Sequence, residues 1–74
     1  MTALTLERAK TLTFGTILHH NYNKNYDGTP QRWKVNGKVK LWKRDPTRFR
    51  VPIKHGLYSY NCIDIDSYTQ FMVD

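Results

Sequence analysis

Apolar and polar residues alternate without a break from Phe49 to Lys54. That is the period of a strand with one buried face. Phe49, Val51 and Ile53 are expected inward, with Arg50 and Lys54 outward. Pro52 has no N–H for a ladder, so this strand is expected at a sheet edge or at a bulge. Phe14 to His20, dense in aromatic and β-branched residues, predicts an earlier strand, and Leu57 to Ile63, with Tyr58 and Tyr60, a later one. Helical spacing is confined to the two ends. Thr5 can cap a short helix over Leu6 to Thr11, with Leu6 and Ala9 on one side, which holds only if it docks on a core. Asp64 or Asp66 can cap a last turn in which Tyr68, Phe71 and Met72 fall at helical spacing.

Turn chemistry divides these segments. The Asn-rich run from Asn21 to Pro30, ending in Asp27-Gly28, predicts a loop or a distorted hairpin tip. Asp45-Pro46-Thr47-Arg48 predicts a turn. Between them, alternating residues from Arg32 to Trp42 flank Asn36-Gly37, the signal of a β-hairpin. A two-residue turn there would set Trp33 opposite Lys40 and mix apolar with charged residues on both faces. A three-residue loop with Gly37 in the left-handed region, followed by a bulge, sets Trp33 opposite Val39. Trp33, Val39 and Leu41 then share one face, and Arg32, Lys34, Lys38, Lys40 and Trp42 the other. A one-residue slip exchanges the faces, so the segregated register is the expected one.

Five short strands and no long helix in 74 residues predict a single domain spanning 1–74, mostly β. The expected architecture is a small antiparallel five-stranded SH3-like barrel with a short N-terminal helix and a C-terminal helical turn. A three-stranded sheet with terminal helices is the alternative.

Charge changes the picture more than composition does. The formal net charge is +6. Residues 24–54 hold ten bases against Asp27 and Asp45, whereas residues 55–74 hold three acids and no base. A one-sign block of this kind attracts polyanions, although a solvated face that keeps a small protein in solution would carry the same residues.

One stretch, Gly15 to Leu57, resembles short uncharacterised proteins of phage and environmental origin. The resemblance is carried by Asp27-Gly28-Thr29-Pro30, the run from Val35 to Lys43, Arg48, and the run from Pro52 to Leu57. It implies no activity and transfers no site residue. The likeness to SH3-like barrels is one of strand pattern alone, and that fold hosts both nucleic-acid and peptide binders.

The candidate chemistry follows from the basic block. Arg32, Lys34, Lys38, Lys40, Lys43, Arg44, Arg48, Arg50 and Lys54 are the expected phosphate contacts, and Trp42 among them is a stacking platform for a base. Tyr22 and Tyr26 are expected to stack or to touch a partner, the alternative being that they cap the barrel end. The expected function is non-enzymatic binding of DNA or RNA. The alternative is a phage-type interaction module that docks an acidic protein surface. A homodimer through the Pro52 strand or between oppositely charged segments stays open.

Other chemistry is poorly supported. His19 and His20 are adjacent in a strand and point to opposite faces, so no metal site is expected from them. Asp64 and Asp66 could hold Mg²⁺ on one strand face, but capping explains them more simply. No catalytic residue and no cofactor are expected. Cys62, the only cysteine, excludes an internal disulfide and is expected as a small core residue. No apolar run suits a membrane span, and Met1 to Phe14 lacks the apolar stretch of a signal peptide. A cytoplasmic location is expected, in the host cell if the chain is phage-encoded.

Overall fold

The computed structural model describes residues 1–73. Its elements are β1 (Thr2–Ala3), α1 (Leu6–Lys10), β2 (Ile17–Lys24), β3 (Pro30–Val35), β4 (Lys40–Leu41), β5 (Phe49–His55), β6 (Ser59–Asp64), a 3₁₀ turn (Tyr68–Gln70) and β7 (Phe71–Val73). The mostly β, antiparallel reading holds. The five-stranded SH3-like barrel does not: the described residues form seven strands in one sheet that is not closed. Its order is β1-β7-β2-β3-β5, with β6 on the far edge of β5. The molecule measures 43 × 24 × 18 Å, the outline of an elongated slab.

Every strand that contributes to the core does so by alternation. Leu18 of β2, Trp33 and Val35 of β3, Phe49, Val51 and Ile53 of β5, Ile63 of β6, and Phe71 and Val73 of β7 are buried together. Leu4, Ala9 and Leu12 join them from the N-terminal segment. Thr5 caps α1 as expected, its hydroxyl accepting the Arg8 N–H at 3.2 Å, and the helix is held by docking Ala9 into this cluster. Burying a large aliphatic or aromatic side chain contributes roughly 1.5–3 kcal/mol, so this one-sided core is the main source of stability.

The Asn36-Gly37 hairpin does not form. β3 continues into β4 in the same direction, and both pair with one edge of β5: Val35 lies opposite Ile53 and Lys40 opposite Arg50. Five steps on one side therefore match three on the other, and residues 36–39 form a two-residue bulge. Pro52 is the cause. Its carbonyl accepts the Asn36 N–H at 2.9 Å, so its missing N–H faces the same neighbour and the ladder breaks there. Gly37 is needed for space, because a Cβ on it would lie 2.7 Å from Pro52 Cγ. The left-handed conformation belongs to Gly15, Gly28 and Gly56, not to Gly37. The strand with Pro52 is accordingly central, flanked on both edges, with the bulge in its partner.

Other boundaries also move. The strand expected over Phe14 to His20 begins at Ile17 and runs on to Lys24, through residues expected in a loop. Against β3, it carries three extra residues between His19 and Lys24. His20 makes this tolerable: its buried Nδ1 accepts the N–H groups of Tyr22 (3.1 Å) and Asn23 (2.9 Å). The tip closes through Gly28 N–H to Asn25 C=O at 3.0 Å, so the distorted hairpin tip is present. Asp45 to Arg48 forms its turn, with Arg48 N–H on Asp45 C=O at 3.0 Å. Neither Asp64 nor Asp66 caps the 3₁₀ turn, whose cap position is Ser67 without a side-chain capping bond; Asp64 instead closes the turn before it by accepting the N–H groups of Asp66 and Ser67. Phe71 and Met72 then extend as β7, where pairing with both β1 and β2 overrides helical spacing.

Candidate nucleic-acid interface

The face of the sheet opposite the core carries the charge. Register places its residues in rows that cross the strands. One row runs Ile17, Lys34, Lys54, Tyr60 from β2 to β6. A second runs Lys40, Arg50, Asp64 from β4 to β6. Arg32 lies opposite His19 at the side of the first row. Arg32, Lys34, Lys40, Arg50 and Lys54, which belong to the basic block, are thus gathered on one surface.

Two of these contacts set like charges directly opposite each other, Lys34 with Lys54 and Lys40 with Arg50. Cross-strand like-charge pairs are destabilising, by roughly 0.2–1 kcal/mol each. Little compensates them. Among the described residues the only ion pair is Arg48 Nε to Asp45 Oδ2 at 3.4 Å, within the turn, and it involves none of the opposed cations. Asp64 lies across from Arg50, and its carboxyl is held below the usual range first by the Asp66 N–H and to a lesser degree by Arg50.

Aromatic rings border the lysines. Lys34 Nζ sits 5.5 Å from the Phe14 ring centroid, and Lys54 Nζ sits 5.4 Å from that of Tyr60. Both rings are about two-thirds exposed. Sequence reasoning missed Phe14 and Tyr60 as surface residues, because only the pairing of β2, β3, β5 and β6 brings them beside these lysines. Trp42 is 55% exposed, in contrast to Trp33 at 8%. It borders a cavity of about 340 Å³ with Lys40, Leu41 and Arg50.

The remaining residues of the basic block are dispersed. Lys38 is exposed in the bulge, and Lys43 and Arg44 in the bend after β4. Arg48 is engaged by Asp45, whose carboxyl is held low mainly by the Thr47 hydroxyl and N–H. Tyr22 and Tyr26 are both exposed on the β2–β3 hairpin, Tyr26 at its tip, so they do not cap the core. His19 and His20 do face opposite sides of the sheet, His20 inward.

Cys62 is exposed, opposite Pro52 on the open face, and is not a core residue. In β6 only Ile63 is buried, and Tyr60, Cys62 and Asp64 take the outward parity. Two backbone donors of β6 are taken by nearby side chains, one from the strand and one from the turn that follows. Asn61 Oδ1 accepts the Cys62 N–H at 2.8 Å, and Ser67 Oγ accepts the Asp64 N–H at 2.8 Å. Donors satisfied in this way are not offered to a further strand.

Among the described residues no three His, Cys, Asp or Glu side chains converge as a metal site would require. No described helix is long and apolar enough to cross a membrane. No family model, curated protein or solved structure matches this chain, so the surface itself carries the functional argument.

Proposed function

We propose that the protein is a non-enzymatic nucleic-acid-binding module that uses the open face of its sheet. The observation that carries this reading is the pairing of Lys34 with Lys54 and of Lys40 with Arg50, directly opposite each other and without facing carboxylates apart from Asp64. An arrangement that costs stability in the free protein is relieved by a polyanion. Phosphates neutralise such cations and release condensed counterions, a gain independent of sequence. Exposed rings at Phe14, Tyr60 and Trp42 add surfaces on which bases can stack.

Fluorescence anisotropy of labelled oligonucleotides at several salt concentrations tests this. Binding at micromolar concentration or tighter, with log affinity falling linearly in log salt, is the expected result. Five contacts from Arg32, Lys34, Lys40, Arg50 and Lys54 correspond to a slope of about −3.5 on a single strand. Absence of binding at low salt, together with nuclease-resistant capture of an acidic protein, would move the assignment to a protein partner.

A further inference from the structure

Trp42 is the largest apolar side chain left open beside the cations. The chain buries its other tryptophan among the core strands, so exposure of an indole is not general in this fold. The cavity beside Trp42 is bounded by two cations, Lys40 and Arg50, and by Leu41. At about 340 Å³ it lies in the lower range of small-ligand sites. A second cavity of about 150 Å³ shares Trp42 and Arg50 but is also lined by Arg48, Asp64 and Asp66, so its cations are offset by two carboxylates. The side of Lys40 and Arg50, lined by cations without a carboxylate, is the one that draws phosphates.

We infer that the strand bound by this face is single, and that one of its bases seats on Trp42 in the cavity formed with Lys40, Leu41 and Arg50. The inference rests on the nucleic-acid reading above. In a duplex each base has both π-faces covered by its neighbours, so an indole can stack only on an unpaired base. Duplex readers also insert a helix or a β-ribbon into a groove. The one α-helix here has five residues, too short to fill a groove, and of the five basic residues on the open face only Arg32 and Lys34 lie on the β2–β3 ribbon. The basic residues instead spread over a sheet whose rows end in rings: Tyr60 ends one, with Phe14 over its Lys34, and Trp42 lies beside the other. Cations for the backbone are then bordered by rings for the bases.

The test compares three twelve-unit probes against the full chain: oligothymidine, a duplex of the same length, and a sugar-phosphate chain without bases. Anisotropy reports affinity and tryptophan emission reports the indole. Oligothymidine is expected to bind at least tenfold more tightly than either other probe and to quench emission. Trp33 is buried, so quenching reports Trp42. Trp42→Ala should lose about tenfold in oligothymidine affinity with the salt slope unchanged, and Trp42→Phe should recover most of the loss. Equal binding of all three probes overturns the inference and leaves phosphate binding standing. Oligothymidine binding without quenching in the unaltered protein also overturns it, whatever the fate of the variants. Failure of every probe to bind removes the nucleic-acid reading itself.

Discussion

Replacing Lys34 and Lys54 together by glutamine separates the functional from the structural role of the open face. Two opposing effects act on stability. The ammonium groups are on directly opposite residues. Two unit charges about 7 Å apart in water repel by about 0.6 kcal/mol, roughly halved by salt at 0.15 M. Their removal relieves that repulsion. It also removes the contacts of Lys34 with Phe14 and of Lys54 with Tyr60, worth about 0.5 kcal/mol each at exposed sites. The double variant should therefore stay within about 1 kcal/mol of the parent in urea unfolding.

Binding should respond quite differently. Two lost phosphate contacts make the salt slope on a single strand about 1.4 units shallower. With affinities converging at 1 M salt, that predicts a loss of about 14-fold at 0.15 M and about 65-fold at 0.05 M. Anisotropy titrations across that range measure both quantities at once. An unchanged slope would mean that these lysines touch no phosphate. A stability loss above about 2 kcal/mol would mean that they hold the sheet together, and the like-charge argument would be wrong at its root.

Three further outcomes follow from the fold. Gly37→Ala should cost about 1–3 kcal/mol by overpacking, since its Cβ would meet Pro52 Cγ at 2.7 Å; adding Pro52→Ala should recover much of that, and equal urea midpoints for Gly37→Ala and the parent would exclude the contact. Burial lowers the His20 pKa below 6.5, partly offset by Gln70, so below about pH 6.5 the unfolded chain binds more protons than the folded one. Stability from this group is complete above that pH and declines as pH falls toward the folded value; urea midpoints between pH 7.5 and 5.5 should drop in the parent and drop less in His20→Gln. Trp33 Nε1 is buried without a partner, a state that costs about 1–3 kcal/mol; Trp33→Phe, which removes it, should be far milder than Trp33→Ala, for which about 3–5 kcal/mol is expected, and equal losses in thermal unfolding would contradict this.

Residues whose environment is set by local alternation were legible in the sequence. Phe49, Val51 and Ile53 face the core because a period of two leaves them no other side. The Arg32 to Trp42 segment is more instructive. Its hairpin was wrong, yet Trp33 and Arg32, Lys34 and Lys40 lie on the faces expected of them. The two-residue bulge preserves parity, so a false turn and a true bulge sort these side chains alike. The deciding fact was Pro52, more than ten residues away, whose missing donor breaks the ladder where Asn36 and Gly37 pass it. Short-range turn chemistry cannot register a defect in a strand that has yet to pair. The same limit hid β1 and β7, of two and three residues, which exist through pairing with each other and with β2.

The candidate site divides in the same way. Clustering of the bases along the chain was plain, but clustering along a chain does not make a surface. Lys43 and Arg44 went to a bend and Arg48 to an ion pair with Asp45, whereas Lys34 and Lys54, twenty residues apart, became neighbours. The antiparallel pairing of β3 with β5 is what turns two stretches of basic sequence into opposed charges. The core side of that pairing is closed by Val35 and Ile53, so burial of the apolar face and crowding of the cations are consequences of one register. Shifting β3 by one residue would separate the lysines only by turning Val35 outward. The stability lost to repulsion, a fraction of a kcal/mol, is smaller than the roughly 1.5–3 kcal/mol from burying one such side chain. The fold therefore tolerates an electropositive face that a phosphate backbone can relieve.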